Sequence, residues 1–303
     1  AYSKPALNFQ AQNIVASMTN NAAFNCVATR VIVTWKQWPD RERFLKRIEN
    51  ALAQVPQRVA YYPGAEQRFE QYSGLTADKA QQLLRNNAGG GASGSRTCTG
   101  GMTTFVAGTG QADGTLPWTL IRNVKPDEDS PLFASESFVC VCAEVPIDAA
   151  SPEEFLRKAT EFCNEKLWGT LAASITVPGR FKRKPATRQV LEECVDKLRY
   201  GVVAQNQWSG VVFALMSPPW GGHPSSTRQD IQSGTGWVHN SFMLTGIEKT
   251  VLEAPLMVLP KPVWLASHPA PESVAWSLCR LFQNPSLWNL STLGYHAMKG
   301  GLV

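Results

Sequence analysis

No stretch of this chain is long, apolar and uncharged enough to span a membrane. No charged leader followed by an apolar core and a small-residue cleavage site opens it. No charge of one sign is massed either. The 29 Lys and Arg against 24 Asp and Glu leave +5, and the one basic run, Arg180-Phe181-Lys182-Arg183-Lys184, reads as a solvated loop. Neither nucleic acid nor a membrane is therefore an expected partner. Histidine is scarce, at four, and no Gly-Lys-Ser/Thr phosphate loop occurs. The seven cysteines are an odd number in a chain too large to need staples. Reduced thiols in the cytoplasm are the expectation. Cys140 and Cys142 lie two apart on an expected strand and share its face. No second close pair completes a zinc site, so they read as core and no metal is expected. The chain begins Ala-Tyr-Ser, which suggests a processed product or a fragment.

What is present is an ordinary globular composition, 44% hydrophobic and 17% charged over 303 residues, enough for one large or two smaller domains. Helical spacing appears at Phe9, Ile14, Val15 and Met18, at Phe44, Leu45, Ile48 and Leu52 behind Asp40 as N-cap, and over Ala77–Arg85 behind Thr76. The clearest helix start is Ser151-Pro152 with Glu154, a capping box. Phe155, Leu156, Ala159, Phe162 and Cys163 form its stripe, and Gly169 is the expected stop. A further helix carries Val190, Leu191, Cys194, Val195 and Leu198. Strands are expected at 29–35, 117–124, 138–145, 173–177 and 202–206, with Ile247–Glu253 as an extended segment. The alternation favours an α/β fold, with 29–35, 138–145, 173–177 and 202–206 in one largely parallel sheet. The glycine-rich residues 88–101 follow a helix and precede a strand-like segment, so they read as a surface loop rather than a phosphate cradle. One helix, around Glu272–Phe282, is expected in the Pro- and Trp-rich tail.

One stretch organises the rest: Asn21-Ala22-Ala23-Phe24-Asn25-Cys26-Val27-Ala28-Thr29-Arg30, running into Val31-Ile32-Val33. It places a cysteine in a loop between a helix and a strand, where a nucleophile can sit on a rigid base with its sulfur open. Taken alone, a single cysteine is more often small core filling.

Six separated stretches together resemble the aldehyde dehydrogenase superfamily. The Asn21–Arg30 stretch resembles its catalytic-cysteine segment, Asn-x-Gly-Gln-x-Cys-x-Ala. Ser135-Glu136-Ser137-Phe138 resembles Glu-Glu-x-Phe-Gly-Pro. Cys163-Asn164-Glu165-Lys166-Leu167-Trp168-Gly169-Thr170-Leu171-Ala172-Ala173 resembles Ala-Asn-x-x-x-Tyr-Gly-Leu-Ala-Ala. Tyr200–Asn206, Pro219-Trp220-Gly221-Gly222 and Ser233–Gly236 resemble the closing elements. The resemblance implies a three-layer α/β catalytic domain over 1–222, and a return strand or oligomerisation segment with a tail over 223–303. It makes Cys26 the nucleophile toward an aldehyde, through a thiohemiacetal and a thioester. Glu136 and Phe138 would meet a nicotinamide cofactor, NAD or NADP, and Phe24, Asn25, Asn206 and Trp220 would shape the substrate pocket. A homo-oligomer is implied. The departures are Ala23-Phe24 for Gly-Gln, an arginine (Arg30) one residue closer to the cysteine, and Val139-Cys140 for Gly-Pro. The family's dinucleotide-binding domain and general-base glutamate lie upstream of the cysteine. Only 25 residues precede Cys26 here, none acidic. The implied picture is the catalytic portion of such an enzyme, with the cofactor bound by a longer protein and poorly by this chain itself. Two alternatives stand beside it: a degenerate relative or fragment acting in assembly or binding, and a cysteine hydrolase pairing Cys26 with His223 or His239.

Overall fold

Ser3 opens the first helix. Its hydroxyl accepts from the Ala6 amide at 3.3 Å, and Pro5 suits a first turn that has no use for its N–H, so α1 runs Lys4–Thr19. The structure is a computed structural model describing residues 2–86, 94–108 and 114–299. The β-branched run after the cysteine loop is β1 (Val31–Trp35). Helix α2 (Arg41–Gln54) buries Phe44, Leu45, Ile48 and Leu52 as their spacing requires. Asp40, however, makes no cap bond: its backbone (φ −95°, ψ 3°) is not extended, and only its carbonyl closes the turn, accepting from Phe44 N at 2.8 Å. Next come α3 (Ala65–Ser73) and α4 (Ala77–Asn86), the latter with Thr76 Oγ1 accepting from Lys79 N.

The hairpin β2 (Gly94–Thr99) and β3 (Met102–Ala107) turns through Gly100 and Gly101, at φ 59° and 85°, values that suit a two-residue hairpin and glycine. Then follow β4 (Trp118–Arg122), α5 (Pro131–Ala134), β5 (Val141–Ile147) and α6 (Pro152–Glu165). The Ser151 hydroxyl caps α6 by accepting from Glu154 N at 3.1 Å. The rest of the chain forms β6 (Ala172–Ile175), α7 (Gly179–Arg183), α8 (Pro185–Lys197), β7 (Val202–Gln205), α9 (Gly210–Leu215), β8 (Trp220–Gly221), β9 (Trp237–Val238), β10 (Thr250–Glu253), α10 (Pro271–Gln283) and α11 (Leu287–Lys299).

The fold is α/β, but the expected single sheet is two. Among the described residues, one sheet has the order β1-β5-β4-β3-β2 and a second, all-parallel, has β10-β7-β6. β1 lies parallel to β5 with Val31 opposite Ala143, and β5 parallel to β4, while β2 and β3 add an antiparallel edge. Apolar runs identify strands but carry no label for their neighbours, and here β1 and β6 both end as edges. Five local expectations also change. Phe138 is not in a strand: its φ is +44°, and β5 begins only at Val141. The glycine-rich residues include β2 from Gly94 onward, while 87–93 lie outside the described residues. Arg180–Arg183 is helical within α7, with Lys182 paired to Glu253. Helix α6 stops at Glu165, well before Gly169, and the tail holds two helices.

Helices α1 to α4 pack on the first sheet over a core that includes Leu45, Ile48, Leu52, Phe69, Leu120 and Val145. A second cluster joins α6, α8 and β7 through Leu191, Cys194, Leu198 and Val203. The register of β1 on β5 is pinned by a buried charge. Glu144, 0% exposed, accepts two bonds of 2.8 Å from Arg41 Nη2 and one of 3.0 Å from Asn123 N, and it also pairs with the Thr34 hydroxyl. A buried carboxylate satisfied this fully ties α2, β1, β4 and β5 together, because losing any partner strands a charge in the core.

Candidate active site

Because β1 and β5 are parallel neighbours, the loops feeding them emerge at the same end of the sheet. That places Cys26, ahead of β1, beside Glu136, ahead of β5. The cysteine loop leaves α1 through three successive left-handed residues, Asn21 (φ 52°), Ala22 (φ 56°) and Ala23 (φ 72°). Asparagine tolerates this region. Alanine does so only at a cost of about 1–2 kcal/mol each, so the surroundings must impose it. Local amides supply part of the hold. Asn21 Nδ2 donates to Phe24 O at 2.9 Å, Asn25 Nδ2 to Asn20 O at 2.9 Å, and Asn25 Oδ1 accepts from Val27 N at 3.0 Å. From the second sheet's side, Trp208 Nε1 donates to Val27 O at 2.8 Å.

Arg30 supplies the rest. Its Nη1 donates to Val139 O at 2.5 Å, and its Nη2 donates to Ala23 O at 2.7 Å and more weakly to Asn25 O at 3.5 Å. One guanidinium thus staples the cysteine loop to the segment just past Phe138. It also lies over the Phe138 ring, 5.8 Å from the centroid. Phe24 and Phe138 meet at 6.2 Å, and Tyr61 and Tyr62 close the cluster at 5.1 and 5.0 Å from Phe24 and Phe138 respectively. Tyr72 fixes the adjoining segment through Ser135 Oγ at 2.7 Å and Glu136 O at 3.3 Å.

Cys26 is exposed, yet the loop crowds its sulfur. Desolvation raises its thiol pKa, its own backbone N–H pulls the other way, and the Glu136 charge adds to the rise. Glu136 is half-buried. Burial raises its carboxyl pKa, while the Arg30 and Arg68 charges oppose that. Cys140 and Cys163 are desolvated and pushed up to about 12, so they are inert at neutral pH. Cys98 and Cys279 are exposed like Cys26, so exposure alone does not single Cys26 out.

Cys26 and Glu136 line one cavity of about 720 Å³ that extends between β1 and β6. The other residues named from sequence fall elsewhere. Phe24 is buried in the aromatic cluster and Asn25 is spent on the loop. Asn206 is buried at φ 65° with its amide engaged by Val177 N and Ala254 O, so it ties together β6, β7 and the end of β10. Trp220 is buried against Val202, Val212 and Phe213, in a cluster whose rim includes Val27. His223 bonds Ser225 and Glu248, and His239 bonds Pro218 O. Neither serves Cys26, which removes the support for a Cys–His pair. Sequence reading missed Arg30 as a clamp, Trp208, and the Tyr61-Tyr62 pair. The one available signal was two aromatics on an exposed Pro-Gly turn. Among the described residues no group of acidic, His or Cys side chains could hold a metal, and no helix is long and apolar enough to cross a membrane.

No family model matches the chain, and no curated protein does. Solved structures that align with parts of the chain include three dehydrogenases. A glyceraldehyde-3-phosphate dehydrogenase from Methanocaldococcus jannaschii, complexed with NADP, aligns at 15% identity over 76% of this chain and 42% of its own, with a TM-score of 0.45. A 1-pyrroline-5-carboxylate dehydrogenase aligns at 16% over 66% and 33%, TM-score 0.44. An aldehyde dehydrogenase from Bacillus cereus aligns at 14% over 65% and 35%, TM-score 0.41. The chain spans less than half the length of each of these. At such identities the likeness assigns no role to any residue.

Proposed function

We propose that this chain is the thiol-bearing portion of an aldehyde dehydrogenase-like oxidoreductase, with Cys26 as nucleophile and a small aldehyde as substrate. The observation that carries this reading is the setting of Cys26. It is an exposed thiol on a strained, stapled loop, at the same sheet end as Glu136, in the wall of a shared cavity. In this reading the sulfur bonds to the carbonyl carbon, the carbonyl π bond breaks, and its oxygen takes up the proton that the thiol gives up. The product is a thiohemiacetal, with no net oxidation. In this reading the Cys26 N–H, which already interacts with its own sulfur, donates to the developing oxyanion. Onward oxidation needs a hydride acceptor such as NAD or NADP. Glu136 offers a ribose hydroxyl one carboxylate, but Phe138 is packed under Arg30 and among Phe24 and Tyr62. The helix after β1 opens on Trp38-Pro39-Asp40 rather than on a glycine turn able to cradle a pyrophosphate. The described residues therefore do not fit a whole dinucleotide, and the chemistry of this chain's own residues ends at the adduct.

Iodoacetamide labelling with peptide mapping tests the reading. Propanal should slow alkylation of Cys26 reversibly while leaving the exposed Cys98 and Cys279 unaffected. Equal slowing at all three, or none at Cys26, would sink the assignment. Calorimetry with NAD and NADP should show no tight binding to this chain, and micromolar binding would refute the mismatch with a dinucleotide. One observation favours a non-enzymatic second reading: the Cys26 thiol pKa is pushed up rather than down, so the chain itself does not activate it. Unmodified Cys26 after prolonged exposure to aldehyde would select that reading.

A further inference from the structure

Beyond β10 the chain is anchored once more and then turns outward. Leu265 and His268 are buried, and the Ser267 hydroxyl donates to Gln12 of α1. The helices α10 and α11 that follow form a hairpin whose turn is fixed by Asn289. Its Nδ2 donates to Asn284 O at 2.8 Å and its backbone N to Ser286 Oγ at 3.2 Å, while Leu290 N donates to Ser286 O at 3.0 Å. No residue of α11 is buried. Its half-buried residues are Asn289, Thr292, Leu293, His296 and Ala297. Their spacing is that of one helix face, and that face packs on α10. The rest of α11 presents Leu287, Trp288, Leu290, Tyr295 and Met298 to solvent, with Leu287 85% and Trp288 78% exposed. Helix α10 adds exposed Trp276, Leu278 and Phe282.

Large apolar side chains set this densely on one surface mark a site of interaction. We propose that the α10–α11 hairpin lies on an anionic lipid surface, with its outward face in the headgroup region. Each helix has 13 residues, about 20 Å at 1.5 Å per residue. That is too short to cross a membrane but suits a helix lying in its interface. Trp276, Trp288 and Tyr295 each join an apolar ring to a polar N–H or O–H, and such side chains settle where hydrocarbon meets headgroups. The charge fits as well. Over 254–299 the cations are Lys261, Arg280 and Lys299, and the one carboxylate is Glu272. Arg280 lies near the turn and Lys299 at the far end, over the Tyr295 ring at 4.7 Å from its centroid. A second copy of the hairpin would double this excess of cations, whereas an anionic surface offsets it. Asn284-Pro285-Ser286 and the polar positions of each helix interrupt the apolar run in sequence, and folding gathers the apolar residues on one side. Cys26 and Glu136 take no part, so the inference does not depend on their chemistry.

The test is flotation of the whole chain with lipid vesicles. Vesicles of phosphatidylcholine with one quarter phosphatidylserine should carry the chain, and raised salt should release it. Amide exchange over 271–299 should slow in the floated fraction while that of β5 stays unchanged. Leu287→Glu combined with Trp288→Glu puts two charges into the apolar face, in a first helical turn where they suit the helix dipole. This variant should keep its circular dichroism and lose at least about tenfold in binding. Lys299→Gln should weaken binding to the mixed vesicles about fivefold and leave Cys26 alkylation as it is. Three results would each overturn the proposal. One is no flotation at millimolar lipid. Another is flotation indifferent to phosphatidylserine or to the double glutamate change. The third is self-association of the lipid-free chain in the ultracentrifuge that the double variant abolishes, since a second copy would then cover this face.

Discussion

Arg30→Met is the perturbation that most directly tests how the site is held. It deletes the donors at 2.5 Å to Val139 O and 2.7 Å to Ala23 O, and the weaker one at 3.5 Å to Asn25 O. Two short bonds from a charged donor are worth about 1.5–3 kcal/mol each, about 3–6 together. Against this stands the cost of desolvating the guanidinium, which lowers the Arg30 pKa and which methionine relieves while filling similar space. The left-handed residues Asn21 to Ala23 and Phe138 also lose the tie that keeps them strained, which returns part of the loss. The net expectation is a destabilisation of about 2–4 kcal/mol. Urea unfolding followed by tryptophan fluorescence and circular dichroism measures it, and amide exchange at 23–27 should rise by more than the global change. Arg30→Lys should recover part of the stability, since an ammonium is a single-point donor that cannot fork to two carbonyls. A change in Arg30→Met under about 0.5 kcal/mol, with exchange at 23–27 unaltered, would refute the clamp.

Two further perturbations read out the electrostatics and the core. The Glu136 charge raises the Cys26 pKa, so Glu136→Gln should let the thiolate form at lower pH. The midpoint of the Cys26 alkylation profile should move down and the rate at neutral pH should rise; an upward or absent shift would refute the coupling. Phe162 is buried and meets Phe133 edge-on at 5.3 Å between centroids. Phe162→Ala should cost about 3–5 kcal/mol in the same unfolding assay, and a cost below about 0.5 kcal/mol would place the ring on the surface.

Much of the local structure was legible because it is written in neighbouring residues. Ser151 with Glu154, Thr76, and the stripes of α2 and α6 specify helices through caps and periodicity, interactions that span a turn. The isolation of Cys26 between a helix and a strand was legible for the same reason. The left-handed path through Ala22 and Ala23 was not. Nothing in two alanines calls for positive φ, and the conformation exists because Arg30, Trp208 and two asparagine amides impose it. Asn206 and Trp220 stand near glycines and turns in sequence, but their roles here follow from backbone groups and core clusters distant along the chain.

By itself, then, the sequence determined the capped and periodic helices, the β-branched strands, the α/β class, and a cysteine set loose ahead of a strand, since hydrophobic period, caps and β-branching act locally. Only the tertiary structure decided that the strands expected in one sheet divide between two, with β1 and β6 each at an edge among the described residues, and that Glu136 stands beside Cys26. Those outcomes depend on which strand edges meet and on one arginine reaching 109 residues along the chain to Val139. Pairing between distant segments is chosen by the sum of packing and hydrogen bonding over the whole fold, a quantity no short stretch of sequence contains.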